Sequence, residues 1–222
     1  MCTCQICSKK LKHSLINMGK VPIANHLIFK QGIKKKLYKL EVFLCKECNL
    51  YQLGERLSPK IIFDNYFYHS SYSSSFLEHA KKFVQTIQKK LDFSNNNFVL
   101  EIASNDGYLL KNFNKNKFQV LGIEPSQNVA RLAKKIGINT EARFFNISTS
   151  KFIKKKYGFP KLIIANNVLA HVPNLKLFFK SLEIISLDET IITIEFPSVK
   201  NMIKLNQFDT IYHEHYTYLS LS

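Results

Sequence analysis

Near the end of this chain four successive residues, Tyr212-His213-Glu214-His215, put a phenol, two imidazoles and a carboxylate side by side. Such groups together remove a proton and stabilise the charge left behind. Four cysteines form a second constellation. Cys4-x-x-Cys7 and Cys45-x-x-Cys48 are two identical clips, each able to present two thiolates from one tight knuckle. Two knuckles complete a tetrahedral S4 site for Zn2+, and with four protein ligands the site is closed, hence structural rather than catalytic. Cys2 is left over as a free thiol. A third constellation, Glu101-Ile102-Ala103-Ser104-Asn105-Asp106-Gly107, follows an apolar run and has the character of a cofactor-holding turn. Cofactor and base in one chain imply an enzyme.

The elements that must position these groups are legible in the apolar pattern. Runs at 98–102, 119–123, 162–165 and 190–196 are rich in Val, Ile and Leu, as strands covered on both faces are. Helical stretches are predicted between them, near 107–114, 126–136 and 174–187. The alternation predicts an α/β fold with a parallel, doubly wound sheet. Upstream, Phe76, Leu77, Ala80, Phe83, Val84, Ile87 and Leu91 recur at helical spacing, and Asn95-Asn96-Asn97 marks a loop and a boundary. Between the cysteines and that helix, residues 63–75 are crowded with aromatics and hydroxyls, among them Tyr66, Tyr68 and Tyr72, as expected of a polar pocket lining or of packing between domains.

In doubly wound sheets ligands sit beyond the carboxyl ends of the strands, on the first strand–helix turn. Here that turn lacks the GxGxxG glycines that admit a pyrophosphate. An acidic residue, Glu101, at the end of the first strand points instead to S-adenosylmethionine, which carries no phosphate but has an amino-acid tail and a sulfonium cation. Glu124 closes the second strand, where a carboxylate accepts both ribose hydroxyls. Asn166-Asn167 follows the next strand and suits the methionine end.

The net charge of +16 invites a nucleic-acid reading. Against it, only three of the 32 basic residues are arginine, the side chain favoured for bidentate phosphate recognition, and the lysines form no single stripe. No apolar stretch is long enough to span a bilayer and the N-terminus is no signal peptide, so the expected location is the cytoplasm, with no membrane and no nucleic-acid partner.

The chain resembles a known family, the S-adenosylmethionine-dependent sugar C-methyltransferases acting on nucleotide-linked keto-sugars. The resemblance rests on the paired CxxC clips, Pro22-Ile23-Ala24-Asn25, the Tyr-Ser segment 66–75, Ser104-Asn105-Asp106-Gly107 and Gly122-Ile123-Glu124-Pro125. It continues through Ala165-Asn166-Asn167-Val168-Leu169-Ala170-His171-Val172-Pro173 and Phe208-Asp209-Thr210-Ile211-Tyr212-His213-Glu214-His215. It implies a Rossmann-like class I methyltransferase domain behind a small N-terminal zinc-binding domain. The expected division is 1–60 for zinc, 61–95 for the aromatic segment and linking helix, 96–200 for the cofactor domain, and 201–222 for the active-site segment that begins a further, missing domain. It further implies a nucleotide-linked 4-keto sugar as substrate and His215 as the base, with Tyr212, Glu214 and His213 supporting. A tyrosine from the aromatic segment, Tyr68 or Tyr72 or else Tyr66, reaches the sugar. The cofactor-binding candidates are Glu101, Ala103, Ser104, Asn105, Asp106, Gly107, Glu124, Pro125, Asn166 and Asn167. Ala103 departs from the family, which has glycine there, and so turns a methyl group toward the cofactor.

Duller readings stand beside these. His213 and His215, two apart on an extended segment, face one way and could take up an adventitious metal. His171 packs at a helix start. Asp209 caps a turn. As alternatives to the sugar enzyme, the chain is a remnant keeping zinc and cofactor, or a nucleic-acid methyltransferase. The Asn-Val-Leu that follows Asn166, in place of a Pro-Pro-aromatic loop, speaks against the last.

Overall fold

The computed structural model describes residues 2–25, 34–63 and 66–221; Asp64 and Asn65 of the aromatic segment lie outside them. The strands are β1 (Ser14–Val21), β2 (Tyr38–Leu44), β3 (Tyr51–Leu53), β4 (Phe98–Ile102), β5 (Gln119–Ile123), β6 (Thr140–Glu141), β7 (Leu162–Asn166), β8 (Ile191–Glu195) and β9 (Thr217–Tyr218). The helices are α1 (Pro59–Phe63), α2 (Ser74–Lys90), α3 (Gln127–Lys135), α4 (Ile147–Tyr157), α5 (Leu175–Ile185) and α6 (Val199–Lys204). The chain divides into two compact units that exchange segments. One holds residues 1–62, 167–176 and 195–222; the other holds 63–166 and 177–194.

In the second unit the strands run β6-β5-β4-β7-β8 across one sheet. Pairing is parallel and in register, Phe98 with Gln119 through Ile102 with Ile123, and Val99 with Leu162. All five residues of β4 and all five of β7 are buried, which is why their sequences are continuous apolar runs. From β4 the chain winds outward through β5 and β6, then returns to the other side of β4 at β7. The switch point of the sheet therefore lies at the carboxyl end of β4, where the turn 103–107 emerges. Ser73 starts α2, its Oγ accepting from the Phe76 amide at 3.3 Å. The helix then packs Ala80 and Val84 into a core with Val99, Leu110, Phe113 and Ile164.

One expectation is corrected here. Residues 107–114 do not form a helix; only a 3-10 turn at Leu110–Asn112 is present. The Asn112 amide donates to the carbonyls of Tyr108 and Leu109 at 3.1 and 3.0 Å, so a side chain bonds two carbonyls that would serve as helical acceptors. Conversely, β6 and α4 escaped the sequence reading. α4 opens with Asn146, whose side chain accepts from the Thr149 amide at 3.0 Å, and stops at Gly158 with φ +85°.

In the first unit β1-β2-β3-β9 form an antiparallel sheet. Its core gathers Leu40, Val42, Leu53, Val199, Met202 and Tyr218. Strand β9 is thus tied to β3 and positions the 212–215 segment just before it. Among the described residues no helix is long and apolar enough to cross a membrane.

Candidate functional site

The four clip cysteines converge as the spacing predicts, their sulfurs all lying within 4.8 Å of one another. Cys4 Sγ is 3.4 Å from Cys48 Sγ, Cys7 Sγ 3.4 Å from Cys45 Sγ, and Cys7 Sγ 3.9 Å from Cys48 Sγ. Tetrahedral Zn–S bonds of ~2.3 Å require S···S separations of about 3.8 Å, so the donor set fits zinc. Both clips are built alike. The amides of Cys4 and Cys45 donate to the carbonyls of Lys9 and Leu50, each at 2.9 Å. Each clip closes on a left-handed residue, Ser8 (φ +62°) or Asn49 (φ +54°). This geometry turns both thiolates of a clip inward.

The turn after β4 is equally shaped by backbone. Ala103, Asn105 and Gly107 have φ of +52°, +49° and +79°. Left-handed conformation at Ala103 explains why glycine is the comfortable residue there. Strand β5 approaches so closely at Gly122 that a Cβ would meet Ser104 Oγ, with Ser104 Cβ 2.9 Å away. Glu124 grips the turn. Its Oε2 accepts from the Asn105 amide at 3.0 Å and its Oε1 from the Ser126 amide at 2.8 Å. Each oxygen keeps a lone pair, and the carboxylate is 4% exposed. Burial pushes Glu124 up to about 7, against the lowering pull of those two amides. Glu101 is raised well above the ordinary range by burial, then by the charges of Glu124 and Asp106. Among the described residues none of the three acids has an ion-pair partner.

Glu101 Oε2, Ser104 Oγ, Asp106 Oδ1 and Asn166 Oδ1 are buried and have no hydrogen-bond partner among the described residues. Orphaned polar atoms around uncompensated acids need a ligand that donates hydrogen bonds and carries positive charge. The ammonium, sulfonium and ribose hydroxyls of S-adenosylmethionine meet that need. The side chain of Asn167 is turned instead to Glu195 Oε1 at 3.0 Å, while its backbone sits at φ +56°. Pro125 lies between Glu124 and Ser126, the N-cap of α3.

The aromatic segment is strapped to this turn. Asn105 Oδ1 accepts from the Ser70 amide and Asp106 Oδ2 from the Ser71 amide, at 2.9 and 3.2 Å, and Asn105 Nδ2 donates to the Tyr68 carbonyl at 3.2 Å. Asn128 Nδ2 holds the Tyr66 carbonyl at 2.8 Å. Tyr68 and Tyr72 are 48% and 77% exposed, Tyr72 against the His69 ring at 4.9 Å. The backbone anchorage favours Tyr66 and Tyr68 as residues held near the cofactor turn.

In the first unit, residues 212–215 are a turn rather than the extended segment expected, closed by the His215 amide donating to the Tyr212 carbonyl at 3.1 Å. The two imidazoles therefore do not face one way. His213 lies edge-on to Tyr38 with centroids 6.0 Å apart, and burial lowers its pKa. His215 Nδ1 contacts the Thr210 carbonyl at 3.0 Å and Nε2 the Tyr212 hydroxyl at 2.9 Å. A carbonyl only accepts, so Nδ1 carries the hydrogen and Nε2 presents a lone pair to which the phenol donates. Burial, then the neighbouring His171, pushes His215 down to about 3, against the Thr210 carbonyl. The imidazole is thus held neutral rather than near its titration point.

His171, a packed histidine in the sequence reading, belongs to this cluster. Its ring lies 4.8 Å from that of His215, and its Nδ1 donates to the Glu214 carbonyl at 2.9 Å. Burial lowers it to about 4. The Glu214 side chain is 1% exposed. Both its oxygens accept from Asn25 Nδ2, at 2.7 and 2.6 Å. Asn25 escaped the sequence reading as a site residue; its only signal was membership of the Pro-Ile-Ala-Asn run. Asp209 lies in a 3-10 turn at Phe208–Thr210 that delivers the carbonyl of Thr210 to His215.

A wound parallel sheet with an acidic switch-point turn in one unit, and a four-cysteine metal site in the other, define an α/β cofactor-binding protein with a zinc module. Residues 4–63 match the family described as "Putative zinc binding domain", and residues 75–222 match that described as "Methyltransferase domain". The chain belongs to this methyltransferase family. C-methyltransferase NovU of Streptomyces niveus is 27% identical over 220 residues, 98% of this chain and 52% of NovU. The chain thus spans about half the length of that relative. Among solved structures, the plantazolicin methyltransferase BpumL in complex with SAH is 19% identical, with a TM-score of 0.50 over 66% of this chain and 58% of that one. A SAM dependent methyltransferase from Archaeoglobus fulgidus is 16% identical, with a TM-score of 0.50 over 65% and 63%. These two share the fold.

Proposed function

We propose that the protein is an S-adenosylmethionine-dependent C-methyltransferase that acts on a nucleotide-linked 4-keto sugar in the cytoplasm, with His215 deprotonating the carbon next to the ketone. The observation that carries this reading is the fixed tautomer of His215. With Nδ1 committed to the Thr210 carbonyl, Nε2 is a neutral base, and the likeness to a C-methyltransferase supplies a reaction that needs one. A carbon beside a ketone is acidic because its anion spreads onto oxygen. As the substrate's C–H takes the place of the Tyr212 hydroxyl at Nε2, the phenol is released to donate to the carbonyl oxygen where charge develops. The lowered basicity of His215 reflects an imidazolium buried without a counter-ion. In the reaction the enolate forms in the same step and is that counter-ion.

The cofactor supplies an electrophilic methyl group. Glu124 would accept the ribose hydroxyls, and the orphaned oxygens of Glu101 and Asp106 would hold its positive charge. Tyr68 or Tyr66, held by Asn105 and Asn128, contacts the sugar. Zinc serves the fold alone. The test is incubation of the chain with S-adenosylmethionine and a panel of nucleotide-linked 4-keto-6-deoxy sugars, read by mass spectrometry. A product one methyl heavier, absent with His215→Asn although S-adenosylhomocysteine still binds, is expected. Undiminished transfer by His215→Asn overturns the assignment of the base.

A further inference from the structure

Among the described residues Glu214 is the most deeply buried acid of the first unit. Its carboxylate is turned to the amide of Asn25, which donates to both oxygens. Burial raises the Glu214 pKa and the Asn25 amide opposes that rise. The backbone of Glu214 faces the other way chemically. Its carbonyl accepts from His171 Nδ1, which fixes the neutral His171 tautomer with the hydrogen on Nδ1 and the lone pair on Nε2. The residue following Glu214 is His215 itself, with its ring against that of His171. One side-chain clamp thus sets the orientation of a peptide unit on which both imidazoles depend. The clamp joins residues far apart in sequence, so nothing local to the 212–215 turn can replace it.

We propose that Asn25 is a positioning residue for the proton-transfer groups: by holding the Glu214 carboxylate it fixes the peptide that orients His171 and, through it, His215. The inference deepens the reading of His215 as base, but its central readout does not depend on that reading. Loss of the clamp leaves a buried carboxylate without its donor, which swings toward water or takes up a proton, and the Glu214 carbonyl moves with it. A displacement of the order of 1 Å in a proton-transfer group costs roughly 100-fold in rate.

The experiment uses protein labelled with 15N in histidine side chains, so that long-range 1H–15N spectra report each ring's tautomer. The wild type should show His171 as the Nδ1–H form. In Asn25→Ala this signature should give way to the Nε2–H form or a mixture, with one zinc per chain retained and S-adenosylhomocysteine affinity within about twofold. Methyl transfer should fall between about 10- and 100-fold in kcat with little change in KM. The exchanged pair Asn25→Asp with Glu214→Gln, which restores an amide–carboxylate contact with donor and acceptor reversed, should return the His171 signature. Should Asn25→Ala fail to fold, the exchanged pair alone decides. An unchanged His171 tautomer in Asn25→Ala, or a lost one in the exchanged pair, overturns the proposal. Spectral changes as expected with no methyl transfer by the wild type would uphold the clamp and refute the proposed reaction.

Discussion

Cofactor affinity should rise with pH through neutrality, and Glu124 should be the cause. Burial holds this carboxyl at about 7, against its ordinary 4.5. The ribose hydroxyls that it would accept are hydrogen-bond donors and need the carboxylate, so binding draws its pKa back toward 4.5. Linkage then sets the size of the effect. Between pH 6 and 8 the association constant increases about tenfold, and between pH 5 and 8 about 70-fold. The sign for stability is opposite. A folded-state pKa above the unfolded one contributes stability that is full below pH 4.5 and is lost as pH rises through 7. Without cofactor the folded chain therefore forfeits up to about 3 kcal/mol there, which cofactor binding would restore. Titration calorimetry with S-adenosylhomocysteine at pH 5 to 8 measures the slope directly. Glu124→Gln, an isostere that cannot ionise, should bind with less than about twofold variation over that range. A flat profile in the wild type, or the same slope in Glu124→Gln, would refute the assignment of Glu124 to the ribose.

Gly122→Ala should cost about 1–3 kcal/mol, because its Cβ is driven into Ser104 without room to withdraw from Thr140 Oγ1 at 3.2 Å; a fall in Tm of roughly 2–12 °C and weaker S-adenosylhomocysteine binding are expected. Elemental analysis should find one zinc per chain, and Cys45→Ser or a strong chelator should unfold the region around β1-β2-β3 while the β4–β7 sheet keeps its amide-exchange protection. His171 and His215 are depressed to about 4 and 3, so each stabilises the fold above pH 6.5 and this contribution is lost as pH falls through the folded values. Replacing His215 by Asn should accordingly make denaturant stability less steeply dependent on pH between 6.5 and 4.

Much of the cofactor half was legible because its signals are local. A strand buried on both faces must be continuously apolar, so β4, β5 and β7 announced themselves, and an acid at the end of β4 stands out against such a run; β8 has the same apolar run but is exposed or half-buried throughout, so it is not the doubly covered strand expected at 190–196. The cysteine clips were legible for the same reason, since a CxxC knuckle is its own geometry. The failures share a different cause. The supposed helix at 107–114 failed because Asn112 bonds two carbonyls back along the chain, a competition that hydrophobic periodicity does not register. Helix α4 went unseen because its sequence, ISTSKFIKKKY, offers little apolar face and is fixed by its Asn146 cap and Gly158 stop. At residues 212–215 the sequence displayed the chemical groups but not their arrangement. The turn at 212–215, the tautomer of His215 and the parts of His171 and Asn25 all depend on contacts between residues distant in the chain.

Proton abstraction can be separated from methyl transfer. In D2O, with no methyl donor present, the protein should wash deuterium into the carbon beside the ketone of a nucleotide-linked 4-keto-6-deoxy sugar, followed by NMR as loss of that C–H signal. The account predicts exchange in the wild type and none above the solution background in His215→Asn. Exchange at the wild-type rate in His215→Asn, or no exchange in the wild type with any of the keto-sugars it methylates, would contradict it.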